Sequence, residues 1–300
     1  MSSNLILTTD RIAKVNVTES ESLTEHGWLA ELIHNQWSDE FLIRAQLGSL
    51  EYKTLNNLNY QFCILEMKKL HDQQLCVGAS LASRYLRIVK AIFEQHSFRV
   101  FPIVQNNQLV ILAFDLFVNK TRKEQIAKKE LLQCIANQID RVLNFEESNK
   151  FNVHMSVSST YKGFKHMYFC YEEAMKSRLL KSFFDSSTIF YDDLGAFQIL
   201  LNLQETGLLE SYVLRHLGPI IEEDQKKNSD LLKTLKIYLE RDGSKQSVAD
   251  ELHIVRQSLY YRLEKIKELL GENYMCTQNR LALQLAIQAY ELLKFEASKN

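Results

Sequence analysis

The sequence contains no run of about 18 apolar residues, the length that a membrane-spanning helix needs, so no membrane span is predicted. The N-terminus lacks the basic segment, the apolar segment and the cleavage site of a secretion signal, which favours a cytoplasmic location. The five cysteines show no metal-site spacing. We therefore expect them to be buried thiols in a reducing compartment rather than disulfides or zinc ligands.

The sequence also lacks the short motifs that mark common enzyme sites. It has no glycine-rich phosphate loop and no nucleophile elbow, and its eight histidines form no HxH or HxxxH pair. We expect no enzymatic activity, no cofactor and no metal ion. The formal net charge of −1 gives the whole chain no bulk attraction for nucleic acid, although a local basic face can still bind it.

Length and composition predict two ordinary domains. The 300 residues are 46% hydrophobic, which is enough for two cores. We predict an N-terminal tail with short helices over residues 1–57, a sheet domain over 58–200, a connecting helix and linker over 201–227, and an all-helical domain over 228–296. The fold class is therefore α+β.

The sheet domain is predicted from strand and helix patterns in the order βαββαβ. The expected strands are Tyr60–Met67, Phe98–Val104, Leu109–Phe114, Phe151–Val157 and Ile189–Phe190, and the expected helices are Leu81–Phe93, Lys123–Leu143 and one that includes Tyr171–Lys176. This order is typical of a split-βαβ, ferredoxin-like sheet with helices on one face.

Proline is scarce, with two residues in the whole chain. Pro102 fits an edge strand, and Pro219 predicts that a helix ends there. A charged linker is then expected over residues 222–228. Asn228 or Ser229 is the predicted cap of the helix that follows.

Residues 247–266 have the pattern of two short helices joined by a tight turn. Ser244 is a suitable N-cap for the first helix. His253 is predicted at the turn, because it is one of the residues that tolerate a positive φ. The inward residues of both helices follow helical spacing: Val248, Ala249, Leu252, Ile254, Leu259, Leu263 and Ile266. The pattern predicts a helix-turn-helix that binds the major groove of DNA.

The outward face of the second helix carries the candidate DNA-binding residues. Arg256 and Gln257 come first, and Arg and Gln side chains can pair with guanine and adenine edges. Ser258, Tyr261, Arg262 and Lys265 suit phosphate oxygens, which position a protein without reading sequence. The alternative interpretation is an ordinary amphipathic hairpin with a solvated basic face.

Several blocks of the C-terminal segment resemble the C-terminal domain of the PucR/CdaR family of bacterial transcription regulators. The blocks are Leu232–Glu240, Ala249–Leu252, Arg256–Leu263, Ile266, Leu270–Gly271 and Arg280–Ala286. The helix pair is also similar to that of the bacterial factor for inversion stimulation, and this resemblance implies that Arg256, Ser258 and Arg262 lie at the DNA. Two positions depart from the family pattern, because Val255 stands where the family often has His and Gln257 where it often has Asn.

The preceding segment resembles the GGDEF-like domain of the same family. The matching blocks are Phe151–Val157, Lys162–Gly163, Tyr171–Lys176, Ile189–Phe190 and Asp192–Leu200. Active diguanylate cyclases carry glycines and acids in the hairpin of this domain, where they hold nucleotide and metal. Here the hairpin is Gln105-Asn106-Asn107-Gln108, without glycine or carboxylate. We therefore predict a catalytically inactive domain used for dimerisation or signal coupling.

Two functions follow from these patterns. The first is a sequence-specific regulator that binds double-stranded DNA as a homodimer and responds to an unidentified small-molecule or protein effector. Pairing is expected because one helix-turn-helix buries too little surface to select a site alone. The apolar residues of the last helix, from Leu281 to Leu292, are expected to form core with a part in pairing. The second is a degenerate nucleotide- or small-ligand-binding protein whose helical domain is a protein-interaction module.

Overall fold

The computed structural model describes residues 27–34, 40–69, 79–106, 108–116, 122–146, 151–181, 183–184 and 186–297. The chain divides into two compact units. The first, called the sheet unit below, comprises Met1–Arg178 and Ser186–Phe190. The second, called the helical unit, comprises Leu179–Asp185 and Tyr191–Asn300. A mixed α+β architecture is confirmed.

The sheet unit is built on a six-stranded sheet with the predicted order of elements. Its strands are β1 (Asn59–Lys69), β2 (Phe98–Gln105), β3 (Gln108–Asp115), β4 (Phe151–Val157), β5 (Tyr161–Lys162) and β6 (Thr188–Phe190). The spatial order is β2-β3-β1-β4-β6, and β5 pairs with β1. All pairs are antiparallel except β4 with β6. Pro102 lies in β2, which is an edge strand, as predicted.

Both faces of this sheet are covered by helices, so the expectation of helices on one face was wrong. The helices are α1 (Gly27–His34), α2 (Glu40–Leu47), α3 (Ser49–Leu55), α4 (Ala79–Gln95), α5 (Arg122–Glu146) and α6 (Met167–Leu179). Successive strand residues point to opposite faces. Cys63 and Leu65 therefore pack against α4 and α5. Phe62 and Ile64 pack in a second core with residues of α1, α2 and α6.

The hairpin between β2 and β3 is as tight as its sequence indicates. Gln105 pairs with Gln108, and Asn106 after it has a φ of 48°, in the left-handed region. Among the cysteines, Cys63 and Cys170 are buried, but Cys134 and Cys276 are exposed, which corrects the expectation for those two. Cys76 lies outside the described residues.

The helical unit contains six helices among its described residues: α7 (Phe197–Glu205), α8 (Leu209–Lys227), α9 (Leu231–Glu240), α10 (Lys245–Leu252), α11 (Arg256–Leu270) and α12 (Thr277–Ala297). Helix α8 packs along α12, while α9 contacts both α10 and α11. On α12, Leu283, Ile287 and Leu292 are buried, but Leu281 is 58% exposed and does not belong to the core.

Helix α8 does not end at Pro219 but continues to Lys227, so residues 222–227 are helical rather than a linker. A proline removes one backbone hydrogen bond from a helix interior. Leu217 before it and Ile220 after it are both fully buried. Their packing holds the two halves in one helix, because tertiary burial outweighs local propensity.

The predicted cap of α9 was also wrong. The N-cap is Asp230, and the cap acceptor is the Asp224 carboxylate of α8. The Leu231 and Leu232 amides donate to its two oxygens at 2.8 and 2.9 Å. The Ser229 hydroxyl, one of the expected caps, donates to the same carboxylate at 2.7 Å.

Candidate nucleic-acid interface

The turn between α10 and α11 has the predicted conformation. His253 ends α10 with a φ of 54° and a ψ of 41°, in the left-handed region. The Ile254 amide donates to the Ala249 carbonyl at 3.1 Å, which closes the turn. Ser244 is the N-cap residue, but its side chain accepts no helix amide and instead meets the Ser247 hydroxyl at 2.9 Å.

The buried residues of the two helices are largely those that the spacing predicts. Val248 and Ala249 are buried on α10, and Leu259, Leu263 and Ile266 are buried on α11. Leu252 and Ile254 are half-buried. Burial of one stripe fixes the rotation of α11 about its own axis, so the opposite stripe faces solvent.

The first two turns of α11 present most of the candidate residues to solvent. Arg256, Gln257 and Ser258 are exposed, and the Tyr261 side chain is 74% exposed. Val255, the residue before the helix, is 69% exposed. A hydrogen-bonding surface of this kind at the start of a recognition helix is suited to base edges and nearby phosphates.

Arg256 contacts α10 through its guanidinium. Its Nη2 donates to Oε1 of Gln246. The Gln246 Nε2 donates in turn to both carboxylate oxygens of Asp250, at 2.8 and 2.9 Å. All three residues are exposed, so the network lies on the surface and beside the start of α11.

Arg262 lies at the flank of the exposed stripe rather than at its centre. Its Nη1 donates to the hydroxyl of Thr234 on α9 at 3.1 Å, and its Nη2 lies 3.7 Å from the Asp230 carboxylate. The Arg262 side chain is 23% exposed. These contacts tie α11 to the start of α9, and the remaining N–H groups of the guanidinium can still donate.

Lys265 lies one turn further along, where the surface becomes acidic. Its ammonium lies 2.8 Å from the Glu268 carboxylate. The hydrogen bond that the Lys265 ammonium donates to this carboxylate raises the pKa of Lys265, and the charge of Glu223 adds to the effect. The structure therefore groups Arg256, Gln257, Ser258 and Tyr261 at the exposed start of α11, and Lys265, one turn after Tyr261, is paired with Glu268.

Three residues of this surface were missed by the sequence analysis. Lys245 places its ammonium 4.4 Å from the ring centre of Tyr260, which is 49% exposed. Gln246 contacts Arg256 as described above. Lys245 and Gln246 are the first two residues of α10. Which side of α11 they face depends on the connection between the two helices, and the sequence pattern does not give that geometry.

Other kinds of site are absent from the part of the chain that the structure describes. The described residues contain no group of three or more His, Cys, Asp and Glu side chains that could hold a metal ion. None of the described helices has the length and apolar character needed to cross a membrane.

Comparison with known proteins matches the helical unit to regulators. The family model of the PucR C-terminal helix-turn-helix domain matches residues 231–289. The purine catabolism regulatory protein of Bacillus subtilis is 34% identical over 73 residues, which are 24% of this chain and 14% of that protein. The proline-responsive transcriptional activator PutR of Bacillus subtilis is 27% identical over 95 residues, which are 32% of this chain and 23% of that protein.

These matches thus span less than a quarter of each relative's length. A solved structure, the regulator of polyketide synthase expression from Bifidobacterium adolescentis, aligns with 88% of this chain and 91% of its own at 14% identity and a TM-score of 0.40. The GGDEF-like resemblance of the middle segment stays a prediction. The resemblance to the PucR family is confirmed, and residues 231–289 form a PucR-type helix-turn-helix domain.

Proposed function

We propose that this protein is a sequence-specific DNA-binding transcription regulator in which α11 enters the major groove. The observation that carries the proposal is the exposed first half of α11, with Arg256, Gln257, Ser258 and Tyr261 on one surface, in a segment that matches a DNA-binding family. Both relatives are named as regulators or activators, which supports the same conclusion for this chain.

Within this proposal, Arg256 and Gln257 read base edges. They stand in the first turn of α11, and the first residues of a recognition helix contact the bases. Ser258, Tyr261, Arg262 and Lys265 bind phosphates and set the register of α11 on the duplex. Arg262 donates to Thr234 of α9, and Lys265 pairs with Glu268. Each cation has further N–H donors that can bind a phosphate.

The active form is proposed to be a homodimer on paired half-sites. Half-sites of helix-turn-helix dimers are about 34 Å apart, which is one turn of the duplex. A single module gives too small an interface to pick one site from a genome at cellular salt. The proposal also includes domain boundaries near residues 57, 200 and 228. It further includes a cytoplasmic location.

The sheet unit is proposed to be non-catalytic and to serve dimerisation or the response to an effector. The Gln105–Gln108 hairpin has no glycine and no carboxylate. The Glu66 carboxylate, on the neighbouring strand β1, is buried and accepts from Gln108 of this hairpin at 3.2 Å and from Arg178 at 3.2 Å. That carboxylate is already engaged by protein donors, which disfavours a metal-phosphate role.

The test is an electrophoretic mobility shift of the full chain against fragmented genomic DNA at low salt, followed by footprinting of any retarded fragment. We expect discrete retarded fragments whose complexes with the protein persist in the presence of competitor DNA. These fragments should share paired half-sites. No retarded fragment at low salt would contradict DNA binding and would favour the alternative of a ligand-binding protein with a helical interaction module.

A further inference from the structure

We propose that Gln246, on α10, is a positioning residue that sets base preference by orienting Arg256 for guanine. The inference rests on the proposed function and adds a residue that touches no base itself. It follows from the chain of contacts that runs from Asp250 through Gln246 to Arg256.

The orientation of the Gln246 amide is fixed by its own helix. Its nitrogen donates to both carboxylate oxygens of Asp250, four residues later and on the same face of α10. A carboxylate only accepts, so the amide nitrogen must face Asp250 and the amide oxygen must face away from it. That oxygen is the atom that receives the Arg256 guanidinium.

One donor of Arg256 is thereby occupied, and the others are left for the groove. A guanidinium has five N–H donors in a planar fork, so holding one of them restricts the orientations of the rest. Guanine offers O6 and N7 as a pair of acceptors that matches such a fork. Arg256 then loses less rotamer freedom on binding, an advantage of about threefold to tenfold in affinity for one side chain.

Stability gives no competing reason for this network. Gln246, Asp250 and Arg256 are all exposed, and water competes for exposed polar contacts. We therefore expect Gln246→Ala to leave the thermal unfolding curve unchanged.

The experiment uses the full chain and a duplex obtained by in vitro selection from random DNA. Each guanine of the selected duplex is replaced in turn by 7-deazaguanine, which lacks the N7 acceptor. Affinities are measured for the wild type, Gln246→Ala, Arg256→Ala and the double variant. Ser247→Ala is the matched control, because it alters the neighbouring exposed residue, whose hydroxyl contacts the Ser244 hydroxyl.

The expected result is a guanine at which the wild type loses affinity on 7-deaza substitution and Arg256→Ala does not. Gln246→Ala should bind the unmodified duplex about threefold to tenfold more weakly than the wild type and lose most of the discrimination against 7-deazaguanine. The double variant should bind no more weakly than Arg256→Ala alone. Ser247→Ala should keep the wild-type discrimination.

Three outcomes overturn the inference while leaving the proposed function intact. In the first, Gln246→Ala discriminates against 7-deazaguanine as well as the wild type does. In the second, Gln246→Ala lowers affinity as much in the Arg256→Ala background as in the wild type. In the third, no guanine of the selected site is sensitive to 7-deaza replacement. Failure of the wild type to enrich any duplex would instead contradict DNA binding itself.

Discussion

In the sheet unit, polar side chains are buried inside the core, whereas in the helical unit they line the exposed surface of two short helices. Of the buried polar residues in the described part of the chain, all but Thr234 belong to the sheet unit. Lys128 and Asp115 illustrate the first case, with side chains 10% and 4% exposed and a separation of 3.6 Å. Arg256 and Gln257 illustrate the second.

Buried and exposed polar side chains are expected to have different roles, the first in stability and the second in function. A buried polar group must be paired inside the protein, because an unpaired one loses its hydration without compensation. An exposed donor at a helix start is solvated at little cost and is available to a partner. We therefore expect substitutions of polar residues with partners inside the protein to affect folding, and substitutions of the exposed donors at the start of α11 to affect DNA binding.

The largest effect is expected for Lys128→Met. Burial lowers the pKa of Lys128, although the Asp115 charge opposes that shift. Removing the ammonium breaks a largely buried ion pair at one of its two members, and a change of this kind costs about 3–5 kcal/mol of folding free energy. Denaturant unfolding followed by fluorescence measures it, since Trp28 is buried in the sheet unit.

The matched control for that substitution is Lys226→Met. Lys226 pairs with Glu222 at 3.5 Å, and both side chains are 69% exposed. Such a pair contributes below about 0.5 kcal/mol, so the unfolding midpoint should stay unchanged. Equal effects of the two substitutions would remove the contrast between buried and exposed charges.

Arg256→Ala is expected to lower affinity for the selected site by about 1–3 kcal/mol and to relax preference at one base position. Its folding stability should equal that of the wild type, because the side chain is exposed. Binding titrations on the selected and on scrambled duplexes measure the effect, with Arg215→Ala, at an exposed position of α8, as control. An equal loss on every sequence would assign Arg256 to a phosphate.

Asp224→Ala should destabilise the helical unit by about 0.5–2 kcal/mol, because the Leu231 and Leu232 amides lose their acceptor. Thermal unfolding monitored by circular dichroism tests this. Glu222→Ala removes another carboxylate of α8, which is exposed and pairs with Lys226 at 3.5 Å, and should have less effect. Indistinguishable curves for the two variants would show that the Asp224 cap adds nothing to stability.

The smallest effect is expected for Lys265→Ala, which should weaken binding to all sequences alike and flatten the salt slope by about one unit. Lys267→Ala is the control on the same helix, because Lys267 pairs with Glu272 at 2.9 Å in a similar way. An unchanged slope for Lys265→Ala would rule out a phosphate contact at that residue.

Local patterns were sufficient for the helix-turn-helix. The spacing of Leu259, Leu263 and Ile266 predicted the buried stripe of α11, and the tolerance of His for positive φ predicted the turn at His253. Both features depend on residues within one or two turns of each other. The order of the main strands and helices along the sheet unit was predicted from such patterns too, whereas their spatial order was not.

The errors came from contacts between distant residues. Pro219 was expected to end a helix because proline removes a backbone hydrogen bond from a helix interior. Burial of Leu217 and Ile220 nevertheless keeps α8 continuous. The acceptor of the α9 cap, Asp224, stands seven residues before the amide of Leu231, beyond the span of a usual capping motif. Thr234 could not be identified as the partner of Arg262 from the periodicity of α11 alone.

The most direct test of DNA reading by α11 is methylation interference with dimethyl sulfate, which methylates guanine N7 in the major groove and adenine N3 in the minor groove. We predict that guanine methylation within paired half-sites blocks binding of the wild type. One of these guanines should become indifferent to methylation in Arg256→Ala. Binding that tolerates every N7 methyl group would contradict the placement of α11 in the major groove.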